Sequence, residues 1–177
     1  MQIESSIVHP SSSIRQLTKP RALPERAHIA VLAPAGPSIL DNIREGARVL
    51  ERRGHRVTFA ENIDRRHRGY LAGSDEERAD ILNRFLRSPE YDAFFFARGG
   101  YGAMRILDRI DYGAIRDNPR PIVGFSDITA LNCAILVKTK LVSFSGAIDW
   151  VQIDLGDDHN DHFVSPEERL RVAMARQ

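Results

Sequence analysis

The sequence is poor in cysteine, in tryptophan and in net charge. Its 177 residues include one cysteine, Cys133, and one tryptophan, and 25 basic residues balance 24 acidic ones. A single cysteine excludes a disulfide framework within the chain, and the apolar residues around Cys133 predict a buried thiol. Because charges of both signs are interspersed, we expect no sustained basic face and no nucleic-acid partner.

Long hydrophobic runs are also missing from the sequence. No apolar stretch approaches the roughly 20 residues that a membrane-spanning helix needs. The polar, serine-rich segment 1–13 lacks the basic start and apolar run of a secretory signal. We therefore expect a cytoplasmic protein without a membrane partner. With 42% hydrophobic residues, the chain can bury one core of ordinary size.

The chain instead contains short apolar runs that alternate with amphipathic stretches. Ser38 is predicted to cap the first helix, and Ser74 to open a capping box at the second. Strands that alternate with helices imply parallel βαβ units. Strands are predicted at 28–33, 56–60, 91–97, 122–123 and 141–144, and helices at 39–53, 74–86, 101–107 and 128–138.

The predicted fold class is therefore α/β, with an open, mostly parallel sheet of flavodoxin-like or Rossmann-like type. We expect residues 27–149 to form this domain. Residues 1–26 are predicted to be a loose lead-in that contributes little to the core, and residues 150–177 a linker or the start of a further domain.

The most informative stretch is 121–129, PIVGFSDIT, where an apolar run breaks at Gly124 and places Ser126 at the start of a helix. A hydroxyl at a sharp turn between strand and helix projects from the carboxyl edge of the sheet, and the next backbone N–H, that of Asp127, points to where an oxyanion would form. On this stretch alone, however, a helix cap formed by Ser126 or Asp127 is the better explanation.

A second strand also runs into glycines, in the segment 94–102, FFFARGGYG. Ligands of open parallel sheets bind beyond the carboxyl ends of the strands, so Arg98, Gly99, Gly100 and Ser126 are predicted to share a site. A nucleotide role for the glycines is a weaker alternative because the G-x-G-x-x-G spacing is missing. No cofactor is expected, and Tyr101 is predicted to pack.

Four segments in this order resemble the N-terminal half of the L,D-carboxypeptidase family, serine peptidases that include murein tetrapeptide carboxypeptidases and microcin C immunity proteins. They are APAG at 33–36, YLAGSDEER at 70–78, ARGGYGA at 97–103 and GFSDITA at 124–130. The resemblance implies that Ser126 is the nucleophile and that the N–H groups of Gly100 and Asp127 form the oxyanion hole. Arg98, beside Gly99, is then expected to bind the substrate carboxylate; a structural ion pair of Arg98 is an equal alternative.

The resemblance also implies a Ser-His-Glu triad whose histidine and glutamate come from a second domain, and neither is identifiable here. We therefore expect the isolated chain to be inactive or nearly so. Where the family has His-Gly-Pro after the fifth strand, this chain has Ser145-Gly146-Ala147. His159 and His162 are weaker candidates for a replacement base or a metal site than for a solvated linker, and no metal is expected.

Three functions are compatible with the resemblance. The first is hydrolysis of the bond before the C-terminal D-residue of a murein peptide, in cell-wall recycling, with a small peptide as the substrate. The second is a non-catalytic binding module of the same family, whose exposed apolar face predicts a homodimer. The third is hydrolysis of a peptidyl-adenylate antibiotic.

Overall fold

A computed structural model of the protein describes residues 17–146 and contains one open sheet of five parallel strands. The strand order β2-β1-β3-β4-β5 is the flavodoxin-like order, which confirms the predicted fold class. The strands are β1 (His28–Leu32), β2 (Arg56–Phe59), β3 (Ala93–Phe96), β4 (Ile122–Gly124) and β5 (Phe144–Ser145).

The helices lie between the strands, as the alternating pattern predicts. The predicted helix at 101–107 is a 3-10 helix, and the short helix α3 was not predicted; Asp111 caps it by accepting the N–H of Ala114 at 3.1 Å. The α-helices in the described residues are α1 (Leu40–Arg52), α2 (Asp75–Arg87), α3 (Tyr112–Asp117) and α4 (Thr129–Thr139), and the 3-10 helices are η1 (Ala103–Arg109) and η2 (Ser126–Ile128).

The two serine caps have different outcomes. Ser74 forms the predicted capping box with Glu77: its hydroxyl accepts the Glu77 N–H at 3.2 Å, and the Glu77 carboxylate accepts the Ser74 N–H at 2.8 Å. The predicted cap at Ser38 is wrong, because α1 follows Ile39 without a side-chain cap. The Ser38 hydroxyl is buried and has no hydrogen-bond partner within the described part of the chain.

The core has two clusters, one on each face of the sheet. Along β1, Ala30 and Leu32 pack with α2 and α4 on one face, whereas Ile29 and Val31 pack with α1 on the other. Successive side chains of a strand point to opposite faces, and strands covered on both sides are apolar throughout. This is why the strands read as continuous apolar runs.

Two local predictions were wrong. Cys133 is exposed, because α4 buries Leu131 and Ile135 and turns Cys133 away from the sheet. The fifth strand begins at Phe144, whereas Leu141 forms an isolated bridge with Thr18. The Thr18 N–H donates to Lys140 O and the Val142 N–H donates to Thr18 O, each at 2.9 Å, and the loose character of residues 1–26 stays a prediction.

The domain limits at 27 and 149 stay predictions. Among residues 17–146, no helix combines the length and the apolar content that crossing a bilayer requires.

Candidate active site

Ser126 lies at the sharp turn that leads from β4 into η2, as predicted. Its φ of +59° places it in the left-handed region, which residues other than glycine rarely adopt. The turn is tight because Gly124 lets Ile128 fold back on the strand end: a Cβ at Gly124 would lie 2.5 Å from Ile128 Cγ2. Ser126 itself is exposed. Strained backbone of this kind is concentrated at functional sites.

Gly99 packs directly against this turn. A Cβ at Gly99 would lie 2.8 Å from Ser126 Cβ, 3.0 Å from Ser126 Oγ and 2.9 Å from the backbone nitrogen of Asp127. The carboxyl ends of β3 and β4 therefore meet as the sequence predicts, and only a residue without a side chain fits between them.

Gly100 continues the same loop with a φ of +97° and is exposed. The carbonyl of Gly99 accepts the N–H of Gly36 at 3.0 Å. In a trans peptide the carbonyl and the N–H point in opposite directions, so the Gly100 N–H points away from Gly36. Neither this N–H nor that of Asp127 has an acceptor among residues 17–146. Both donors are therefore free to bind a ligand.

The helix-cap explanation of Ser126 and Asp127 is wrong. Neither η2 nor α4 begins with a side-chain cap. The Asp127 carboxylate instead accepts the N–H of Ala103 at 2.8 Å, at the start of η1. This hydrogen bond joins the Ser126 turn to the glycine loop that follows β3.

Arg98 is exposed and donates to Pro37 O at 3.3 Å. The alternative of a structural ion pair is not supported, because Arg98 pairs with no carboxylate of residues 17–146. Together with Ser38 and Phe125 it lines an open cavity of about 580 Å³ between α1 and the carboxyl ends of β1 and β3. Its guanidinium is available to an anionic group there.

Tyr101 is predicted to pack, but the structure does not bury it. It is 55% exposed, and its ring lies 5.9 Å from that of Tyr70, which is 46% exposed. These two rings form an aromatic pair next to Gly100.

Within residues 17–146, no histidine is placed beside the Ser126 hydroxyl by a hydrogen bond. None of the three histidines described there, His28, His55 and His67, forms a hydrogen bond to Ser126. His28 begins β1 at the opposite edge of the sheet, where it contacts Thr58 Oγ1 and Glu90 O. The other candidate bases, His159 and His162, lie outside the described residues, as does Ala147.

Among residues 17–146, no group of three or more His, Cys, Asp or Glu side chains is placed to hold a metal ion.

Sequence reasoning missed Arg78, which is 1% exposed and lies under the glycine loops. It pairs with Asp75 at 2.5 Å. The two oxygens of the Asp75 carboxylate also share the Arg105 Nε–H, at 2.9 and 3.0 Å, and one of them accepts an Nη2–H of Arg105 at 2.7 Å. These hydrogen bonds, those of Arg105 above all, lower the pKa of Asp75 to about 2. Arg78 belongs to the segment SDEER, but its position in a charged first helical turn predicts a solvated side chain.

A family model for the LD-carboxypeptidase N-terminal domain matches residues 29–146. A Bacillus subtilis protein named "Probable murein peptide carboxypeptidase" is 38% identical over 141 residues, which cover 80% of this chain and 44% of that protein. The chain thus spans less than half of this relative's length.

Two solved structures are similar as well. The MccF-like protein from Bacillus anthracis str. Ames has a TM-score of 0.69 at 34% identity, over 73% of this chain and 40% of that one. The structure of the microcin C7 self-immunity protein MccF, a protein of Escherichia coli, was solved in complex with aspartyl sulfamoyl adenosine. It aligns with a TM-score of 0.64 and 27% sequence identity, and the alignment covers 72% of this chain and 38% of MccF.

Proposed function

The chain belongs to the LD-carboxypeptidase family, and we propose that it supplies the nucleophile of a serine carboxypeptidase. The substrate is a murein peptide, and the bond that breaks is the one before its C-terminal D-residue. One observation carries this proposal: Ser126 has a left-handed backbone at an exposed strand-to-helix turn, with Gly99 packed against it. That is the geometry of an exposed nucleophile beside main-chain donors.

The reaction follows the acyl-enzyme scheme. Ser126 Oγ attacks the carbonyl carbon of the scissile amide while a base takes its proton, and the N–H groups of Gly100 and Asp127 bind the oxyanion. The amine of the D-residue leaves with a proton from the same group. Water then attacks the ester, which releases the shortened peptide and restores the Ser126 hydroxyl.

The base comes from outside residues 17–146 in this proposal. A serine hydroxyl without a base is a weak nucleophile at neutral pH. We therefore expect the 177-residue chain alone to hydrolyse little or no substrate, and a version extended with the second domain of the family to be active.

Arg98 is proposed to bind the free carboxylate that defines a carboxypeptidase substrate. A guanidinium can donate two parallel hydrogen bonds to a carboxylate, and within residues 17–146 Arg98 uses its donors only on Pro37 O. Gly99 lets the substrate approach the main chain. A cytoplasmic location, a role in cell-wall recycling and a homodimer are further predictions.

A second candidate is hydrolysis of a peptidyl-adenylate antibiotic. It is favoured by the likeness to MccF, whose solved complex holds aspartyl sulfamoyl adenosine. The third candidate, a non-catalytic binding module, keeps the shape of the site without turnover.

Release of D-alanine from an L,D-linked murein tetrapeptide tests the proposal. We would compare the 177-residue chain, a version extended with the second domain of the family, and that extended version with Ser126→Ala. Release by the extended protein that the alanine variant loses is expected. Release that survives Ser126→Ala would contradict the proposed nucleophile. Cleavage of a peptidyl-adenylate without cleavage of the tetrapeptide would favour the second candidate, and silence with both would favour the binding module.

A further inference from the structure

Arg78 is a charged side chain buried beneath the carboxyl edge of the sheet. Its guanidinium donates to three backbone carbonyls: Gly102 O at 2.9 Å, Gly73 O at 3.3 Å and Pro34 O. Burial lowers its pKa, although the nearby Asp75 favours the charged form. The planar guanidinium of arginine can donate to three backbone carbonyls and one carboxylate that lie in different directions. The ammonium group of lysine does not reproduce that geometry.

These carbonyls belong to three separate loops. Pro34 follows β1, Gly73 precedes α2, and Gly102 follows β3. The backbone at Gly102 comes so close that a Cβ there would lie 3.1 Å from Arg78 Nη1, and its φ is +115°. Arg78 therefore joins the loops that surround the candidate site, although it does not contact Ser126 itself.

The contacts continue from Arg78 to the nucleophile turn. Gly102 lies two residues after Gly100, whose N–H is a proposed oxyanion donor. The next residue, Ala103, donates its N–H to the Asp127 carboxylate at 2.8 Å, and Asp127 follows Ser126. Arg78 therefore binds the backbone two residues after one proposed oxyanion donor, Gly100, and the other donor, Asp127, is joined to the next residue, Ala103, through its carboxylate.

Burial alone does not distinguish a structural arginine from one that positions the site. Desolvating a charge is expensive, and apolar replacements of similar volume are often neutral or stabilising. The fold contains a natural comparison in Arg120, which is also 1% exposed and donates to Ser88 O at 2.7 Å, to Tyr91 O at 3.0 Å and to Leu86 O. Arg120 precedes the amino end of β4 by two residues, whereas Ser126 follows the carboxyl end of this strand.

We propose that Arg78 is a positioning residue that sets the main-chain donors of Gly100 and Asp127 for the oxyanion. The inference rests on the proposed function, because it assigns Arg78 a part in the same reaction. Arg120, with the same burial and the same kind of acceptors, has a structural part only.

The test compares Arg78→Met, Arg78→Lys and Arg120→Met by two measurements. Amide hydrogen exchange on the 177-residue chain needs no activity. Arg78→Met is expected to accelerate exchange roughly tenfold in segments 33–36 and 99–104, because lost carbonyl partners loosen these loops. Arg120→Met is expected to accelerate exchange in segment 86–92 and leave 99–104 unchanged. A thermal melt verifies that each variant folds, and Arg78→Lys replaces Arg78→Met if the latter does not.

Kinetics on the extended enzyme form the second measurement. Arg78→Met is expected to lower kcat roughly tenfold to hundredfold with little change in KM, because small displacements of catalytic groups cost this much. Arg78→Lys is expected to recover part of the loss, and Arg120→Met to keep the wild-type kcat.

The outcomes separate the two proposals. Unchanged hydrogen exchange at 99–104 in Arg78→Met overturns the positioning role, and so does an unchanged kcat in that variant. A loss of kcat in Arg120→Met that equals the loss in Arg78→Met overturns it as well. If the wild-type extended enzyme cleaves neither substrate, the proposed function fails, and the exchange measurement alone then decides whether Arg78 holds the loops.

Discussion

Replacement of Gly99 by alanine is expected to abolish most of the activity while the fold survives. The new Cβ would lie 2.8 Å from Ser126 Cβ, about 0.6 Å short of the 3.4 Å at which ordinary contact begins, and it would also press on Ser126 Oγ and on the Asp127 nitrogen. The neighbour at 2.9 Å is backbone, so the Ser126 turn must move. Overpacking of this kind costs about 1–3 kcal/mol of stability.

The cost to catalysis should be larger than the cost to stability. A displacement of the nucleophile and an oxyanion donor on the order of 1 Å lowers the rate about 100-fold. The assay is D-alanine release by the extended enzyme, with urea unfolding measured in parallel. Gly113→Ala is the matched control. Gly113 lies in α3, where a new Cβ would meet only Asp111 Oδ1 at 3.2 Å. The Gly113→Ala enzyme should be as active as the wild type. A Gly99→Ala enzyme whose kcat/KM stays within a factor of about three of wild type would refute the proposed packing of the site.

Three further predictions concern stability. Ser126→Gly should be about 1 kcal/mol more stable than Ser126→Ala in urea unfolding, because only glycine adopts a φ of +59° without strain; equal stabilities would contradict the strained turn. Ser74→Ala should lose about 1 kcal/mol with the capping box, and an unchanged urea midpoint would argue against that cap. Arg105 and then Arg78 lower the pKa of Asp75 from 3.8 to about 2, so the ionised Asp75 contributes its full stabilisation above pH 3.8 and loses it as the pH falls towards 2. Asp75→Asn should therefore flatten the dependence of the unfolding free energy on pH in that window. An unaltered pH dependence would count against the ion pairs.

Much of the fold could be predicted because most local signals agree with the architecture. Apolar runs gave the positions of β1 to β4, and Ser74 with Glu77 gave the start of α2. The meeting of two strand ends followed from parallel βαβ topology, and the structure places Gly99 against Ser126 accordingly.

The remaining errors arise from contacts between distant parts of the chain. Arg78 is buried because three loops supply carbonyls to it, and helical periodicity carries no information about those loops. The apolar neighbours of Cys133 predict a buried thiol, whereas the packing of α4 on the sheet buries Leu131 and Ile135 instead. The apolar pattern predicts that Leu141 belongs to the fifth strand, but its partner Thr18 lies in a segment without any strand pattern.

The most direct test of the central claim is the intact mass of the extended enzyme, quenched during turnover of the murein tetrapeptide and then digested. We predict an acyl adduct on the peptide that contains Ser126, with a mass increase equal to the substrate less one molecule of free D-alanine, and no adduct in Ser126→Ala. Steady D-alanine release without any adduct on Ser126, or an adduct on another residue, would contradict the account.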